Sequence, residues 1–179
     1  MPLADFANIN WQPAQKAKII PDTLREIVLD QHSLTRRLKQ IHNNDFFVRV
    51  ISHDWKEPNA SEKAFLNCSD QRASIREVLL FGSGRPTVFA RSILPESSLS
   101  GKNKALLELG DKPLGEYIFS QPGLRRGPIE VAEVKASQFN SHLDFKFKTE
   151  TAWARRSLFY LRDQPISVCE VFLPEREQY

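Results

Sequence analysis

Two charged residues, Arg76 and Glu170, stand inside runs that otherwise read as buried β-strand. The runs are Ile75-Arg76-Glu77-Val78-Leu79-Leu80-Phe81 and Ile166-Ser167-Val168-Cys169-Glu170-Val171-Phe172-Leu173. Alternate residues of a strand share a face, so Arg76 points with Val78 and Leu80, and Glu170 with Ile166, Val168 and Phe172. An ionised group on an apolar face is costly unless it is paired or binds something. A basic and an acidic group in one apolar cavity suit a small flat molecule with a carboxylate at one end and a hydroxyl at the other. Structural roles compete with this reading. Arg76 can pair with Glu77 or Glu170, and Glu170 can pair with Arg156 or cap a loop. Arg91 shares a face with Phe89 and Ile93 on the next strand, and the same two readings apply to it.

Other chemistries find less support. His32, His42, His53 and His142 fall in turns or near helix ends, away from any triad or activated Ser or Cys, and read as surface residues. The Gly82-Ser83-Gly84 turn lacks the helix and Lys of a phosphate loop. Cys68 and Cys169 form no CxxC motif, and no Cys/His cluster has zinc-ligand spacing. Cys169 lies mid-strand and reads as a buried free thiol. The basic stretch from Arg125 and Arg126 through Lys135, Lys146 and Lys148 to Arg155 and Arg156 is interleaved with acids, and reads as a solvated face.

The elements that must position these residues follow from periodicity and punctuation. Residues 1–15 read as a loose lead-in. Thr23 and Glu26 fit a capping box for a first helix with Leu24, Ile27 and Val28 on its apolar stripe. Ser33 can cap a second helix from Leu34, carrying Leu38 and Ile41. A strand is predicted over 45–53 and a loop over 54–70. A hairpin joins 74–81 to 87–94 through a Gly-containing turn. A helical stretch runs from Ser100 to Leu109 and stops at Gly110, and Pro113 starts a short helix, Leu114 to Phe119. Residues 124–135 and the alternating 143–148 suggest strands, and a last hairpin joins 156–161 to 166–173. The order lacks βαβ alternation, so the sheet is expected to be antiparallel with segregated helices, an α+β domain spanning 1–179. Both helix pairs put a helix N-terminus, with its unpaired N–H groups, at a tight turn: Ser33-Leu34 and Pro113-Leu114.

Composition sets outer limits. The 179 residues are 41% hydrophobic and 26% charged, with a net charge of +3. These are globular values. The charge excess is small for a nucleic-acid binder, and no apolar run approaches the ~20 residues needed to cross a bilayer. The N-terminus shows no basic region followed by an apolar one. A reduced, cytoplasmic monomer without membrane insertion is expected.

Seven segments stand out: Asp30-Gln31-His32-Ser33-Leu34-Thr35-Arg36-Arg37, Arg76-Glu77-Val78-Leu79-Leu80, Ala90-Arg91-Ser92-Ile93-Leu94-Pro95, Ser98-Leu99-Ser100-Gly101, Leu109-Gly110-Asp111-Lys112-Pro113-Leu114-Gly115, Ala154-Arg155-Arg156-Ser157 and Glu170-Val171-Phe172-Leu173-Pro174. Together they resemble the chorismate pyruvate-lyase family. They keep the family's order and cover roughly residues 16–179. The resemblance implies a six-stranded antiparallel sheet with two helix-turn-helix flaps closing over an internal cavity. It implies removal of pyruvate from chorismate to give 4-hydroxybenzoate for ubiquinone biosynthesis, without metal or cofactor, and inhibition by a tightly held product. It carries the ligand carboxylate onto Arg76, backbone N–H contacts onto Leu34 and Leu114, and the ring-hydroxyl contact onto Glu170. Arg91 is expected to line an inner part of the cavity. One member of that family has Met where this chain has Leu34, and residues 137–152 look longer here than in that relative.

Two rival functions are weighed. Ligand-sensing domains of some bacterial transcription regulators share this architecture and bind small carboxylates, and fold alone does not decide function. Against this, the chain begins almost at the first flap, which is expected to leave no room for a DNA-binding domain. The second rival reads residues 22–44 as a DNA-binding helix-turn-helix with Arg36, Arg37, Lys39 and Gln40 in a groove. The small net charge and the match of Ser33-Leu34-Thr35 to the lyase flap oppose it, so no nucleic-acid partner is expected.

Overall fold

The computed structural model describes residues 6–17 and 20–175. Its strands are β1 (Gln12–Pro13), β2 (Phe46–Lys56), β3 (Ala73–Gly82), β4 (Arg85–Pro95), β5 (Arg125–Arg126), β6 (Glu130–Lys135), β7 (Thr151–Leu161) and β8 (Gln164–Phe172). Its α-helices are α1 (Asp22–Val28), α2 (Leu34–Ile41), α3 (Ala60–Leu66) and α4 (Leu114–Phe119). All strands pair antiparallel in the order β1-β6-β7-β8-β4-β3-β2, with β5 added to β7. The fold is α+β as expected, but the sheet has eight strands rather than six. The two extra strands, β1 and β5, are two residues each.

Each face of the sheet has its own cover. Val78, Leu80, Val88, Ala90, Trp153 and Phe172 meet Val28, Leu34 and Leu38 of α1 and α2. On the same face, Leu94, Phe159, Leu161, Ile166 and Val168 meet Leu106, Leu109, Leu114 and Ile118 of the second helical segment. The far face buries Leu79, Phe89, Ala154, Cys169 and Val171 under Phe6, Phe139 and Phe147, and Ile75 and Ile93 under Leu66 of α3. The two flaps therefore share one face, and the space between them lies over the middle of the sheet.

Several local expectations need correction. Residues 1–5 lie outside the described residues, but the rest of the lead-in is fixed: Phe6 is buried against Phe89, and β1 pairs with β6. The stretch 54–70 is not a loop. β2 continues to Lys56, and α3 follows with a capping box in which Asn59 accepts from the Glu62 N–H and Glu62 accepts from the Asn59 N–H. By contrast α1 begins behind Pro21 without a side-chain cap, so Thr23 and Glu26 form no box. The Ser100–Leu109 segment is helical but 3-10, over Gly101–Glu108. Residues 143–148 form no strand, because the Asn140 side chain takes up both the N–H and the C=O of Phe147, each at 2.8 Å. Residues 124–135 split into β5 and β6, with Pro128 between them unable to donate to the ladder.

Candidate active site

A single row of paired residues crosses the flap-covered face: Arg76 on β3, Ser92 on β4, Val168 on β8 and Ser157 on β7. The next row in the same direction is Val78, Ala90, Glu170 and Arg155. These rows floor a cavity whose walls include Leu34 and Thr35 from the first flap, Pro113, Leu114 and Ile118 from the second, and Arg126 from β5. The open space within is ≈ 40 Å³, room for a few water molecules. A ring-sized ligand enters only if the flaps part.

The flaps meet directly over this space. A Cβ on Gly115 would come within 3.0 Å of the Thr35 hydroxyl, so glycine permits the close approach of α4 to α2. Lys39 of α2 and Glu116 of α4 form an exposed ion pair at 2.7 Å. Ser33 caps α2, accepting from the Arg36 N–H at 3.3 Å. Leu34 and Leu114, the first residues of α2 and α4, both face the cavity and are buried.

Arg76 is 2% exposed and donates from Nη2 to the carbonyls of Gly110 and Lys112, at 3.0 Å each. These carbonyls lie in the turn leading to α4, so the second flap is tied to the arginine it covers. Among the described residues no carboxylate forms an ion pair with Arg76, and its Nε has no hydrogen-bond partner. Burial pushes the Arg76 guanidinium below its ordinary value, with Asp111 opposing the shift. A desolvated cation that keeps an unused donor is equipped to take an anionic ligand.

Glu170 is paired, though not with Arg156. Arg155, 1% exposed, donates from Nε to Glu170 at 2.5 Å and from Nη1 to the carbonyls of Ile27, Val28 and Asp30 at 2.8–3.1 Å. Arg155 thereby closes the C-terminal end of α1, where unpaired carbonyls gather, and holds Glu170 at the cavity floor. Arg126 donates to the Ser157 hydroxyl at 3.1 Å and to the Asp30 carbonyl at 3.2 Å, and lies over the Phe159 ring. Both Arg126 and Arg155 belonged to the stretch read as a solvated face, and both line the cavity instead. The signal was available in the strand-like run around Arg155, where alternation sends Arg155 and Arg156 to opposite faces.

Arg91 does not line this cavity. It sits on the far face, paired with Glu77 at 2.6 Å and Glu62 at 2.7 Å. The cause is one residue of register. The turn pairs Gly82 with Arg85, which in a regular hairpin would set Arg91 opposite Arg76. A bulge opposite Leu80 and Phe81 shifts the pairing, so Arg76 meets Ser92 and Arg91 meets Glu77. The surface reading of the histidines also changes in three places. His42 is half-buried and hydrogen-bonded to Ser83. His53 is half-buried and hydrogen-bonded to Ser74, and His142 is half-buried and stacked on Phe89.

The family model described as chorismate lyase matches residues 6–178. A "Probable chorismate pyruvate-lyase" of Pseudoalteromonas translucida is 36% identical over 167 residues, covering 92% of each chain. One of Psychromonas ingrahamii is 37% identical over 177 residues, covering 88% of each. Among solved structures, a GntR-family transcriptional regulator from Bacillus cereus aligns with a TM-score of 0.57 at 15% identity, over 75% of this chain and 96% of that one. The C-terminal domain of a histidine utilization repressor from Pseudomonas syringae aligns with a TM-score of 0.55 at 11% identity, over 75% of this chain and 95% of that one. The structural matches speak for the fold alone. The sequence match spans the flaps, the sheet and every residue of the cavity floor, and by it this chain belongs to the chorismate lyase family.

Proposed function

We propose that the protein is a chorismate pyruvate-lyase, eliminating pyruvate from chorismate to leave 4-hydroxybenzoate, a ubiquinone precursor. The observation that carries this reading is the buried, unpaired Arg76 facing Glu170 across an apolar cavity, in a chain of this family. In the reaction the ether C–O bond at ring carbon 3 breaks and a hydrogen leaves carbon 4. The enolpyruvyl methylene gains a hydrogen, so all atoms of chorismate appear in the two products. Aromatisation makes the step strongly downhill. The work left to the protein is to hold one conformer, exclude water and stabilise charge on the departing oxygen.

In this reading Arg76 grips the ring carboxylate, since its planar fork matches a carboxylate better than an ammonium does. The free N–H groups at Leu34 and Leu114 close on the ligand from above. Glu170, held by Arg155, accepts from the 4-hydroxyl. Flap opening then governs product release. We further take the protein to act as a monomer in the cytoplasm. No helix among the described residues is long and apolar enough to cross a membrane, and Cys68 and Cys169 are free.

The test is to incubate the purified protein with chorismate and follow pyruvate and 4-hydroxybenzoate together. Equimolar formation of both, abolished in Arg76→Ala, is expected. Saturable binding of 4-hydroxybenzoate without turnover would overturn the enzyme in favour of a ligand-binding module.

A further inference from the structure

The charged residues lining the cavity are Arg76, Arg126, Arg155 and Glu170. Three guanidinium groups less one carboxylate leave an excess of two positive charges inside a largely apolar enclosure. Arg155 is spent: it pairs with Glu170 and donates to three backbone carbonyls. The excess therefore rests on Arg76 and Arg126, neither of which has an ion-pair partner among the described residues. Arg76 is buried and Arg126 half-buried, and a desolvated charge without compensation carries a cost that an anionic ligand would offset.

The two cations stand at opposite ends of one row. From Arg76 on β3 to Ser157 on β7 the row spans three interstrand steps, roughly 14 Å, and Arg126 is anchored at the Ser157 end. Glu170 lies between them, on β8. Chorismate presents its groups in the same sequence: a ring carboxylate, then the 4-hydroxyl across the ring, then a second carboxylate on the ether beside that hydroxyl. We infer that Arg126 binds the carboxylate of the departing enolpyruvyl group and so selects the dianionic substrate over its monoanionic aromatic product. This rests on the lyase reading and deepens it.

The remaining contacts of Arg126 fit the role. Nε and Nη1 are fixed by Ser157 and the Asp30 carbonyl, while Nη2 has no partner among the described residues. Stacking over Phe159, with the guanidinium carbon 4.9 Å from the ring centroid, sets the plane of the fork. Burial, with Arg155 adding repulsion, brings its pKa down to about 10, and Glu170 and Asp30 oppose that shift. An added carboxylate would relieve both penalties. During the reaction a cation there also stabilises negative charge on the leaving enolpyruvate. Once pyruvate departs, 4-hydroxybenzoate compensates only one of the two free cations.

The experiment compares two ligands in two variants. For Arg126→Gln, kcat/KM for chorismate is expected to fall about ten- to a hundredfold, while the Kd of 4-hydroxybenzoate changes less than about threefold. Arg126→Lys restores part of the loss and serves alone if the glutamine variant does not fold. Equal weakening of both ligands would overturn the proposal and leave Arg126 as a tether of Asp30. No change in either would overturn it as well. If wild-type protein forms no pyruvate, the lyase reading fails by itself. Arg126 is then judged by equilibrium binding of chorismate against 4-hydroxybenzoate, in which a preference for the dianion that survives Arg126→Gln would sink it.

Discussion

The two faces of the sheet carry nearly the same charged residue types and use them in opposite ways. Arg76 and Glu77 are neighbours in sequence, as are Arg155 and Arg156, and alternation sends one of each pair to each face. On the far face Arg91 and Arg156 are satisfied by acids, and Arg49 donates to the His142 carbonyl over the Phe81 ring. Arg91 bridges Glu62 and Glu77, and Arg156 pairs with Glu130 at 2.7 Å while lying over Phe65 and Trp11. On the flap-covered face Arg76 and Arg126 have no carboxylate. The electrostatics record the difference. Burial works against the charge on Arg91, but Glu62 and then Glu77 outweigh it and raise its pKa, whereas burial lowers that of Arg76. One face spends its charges on holding the fold, and the other leaves two cations without a carboxylate.

The sharpest way to break this contrast is to remove one cation from each face. Arg76→Met is expected to cut chorismate turnover at least about a hundredfold, the scale of a charged hydrogen-bonded anchor. Its stability is expected to move by only about 1 kcal/mol, since losing an unpaired buried charge offsets two carbonyls left without donors. Arg91→Met strands two carboxylates, of which Glu77 is 1% exposed. It is expected to cost about 3–5 kcal/mol in urea unfolding while the folded fraction keeps its kcat. A loss of activity without destabilisation in Arg91→Met would return Arg91 to the ligand cavity.

The acids sharpen the comparison further. In Glu170→Gln the side chain still offers an oxygen to the ring hydroxyl, so kcat is expected to stay within about tenfold of wild type. A fall of about 10²–10⁴ would reassign Glu170 to proton transfer. Glu77→Gln, on the far face, is expected to leave kcat and product affinity alone and to lower only the unfolding midpoint.

Much of this arrangement is legible in the chain itself. Two-residue alternation places Arg76 and Glu170 on the face that the flaps cover, and turn punctuation locates Leu34 and Leu114 at the helix starts that overhang it. What alternation cannot give is register between strands. A single bulge near Thr87 separates Arg91 from Arg76, and the sequence there carries no glycine to announce it. Arg126 escaped for a different reason. It belongs to a two-residue strand with no period to read, beside Arg125, which pairs with Asp163 on the surface. α3 was missed because seven residues make too short a run for periodicity, although its capping residues Asn59 and Glu62 stand at the right spacing.

The smallest expected effect concerns the hinge of the first flap, which a titrating group, Asp30, fastens at the rim of the site face. Asp30 supplies its carbonyl to Arg155 and Arg126 and its carboxylate to the His32 N–H and ring and to Arg37. Burial pushes that carboxyl up, but the His32 hydrogen bonds and Arg37 outweigh it and bring it down from 3.8 to about 2. A carboxyl held lower in the folded chain than in the unfolded one adds stability at pH values above its unfolded pKa. That contribution fades as the pH falls from about 4 towards 2. Amide exchange in α1 and α2 is therefore expected to accelerate across this window before exchange in β3, β4 and β8 does. Asp30→Asn should remove most of the pH dependence from the flap while leaving the sheet unchanged. Flap and sheet exchanging together in both proteins would mean that the flap opens only with the whole domain, and that the covered face is as rigid as the one behind it.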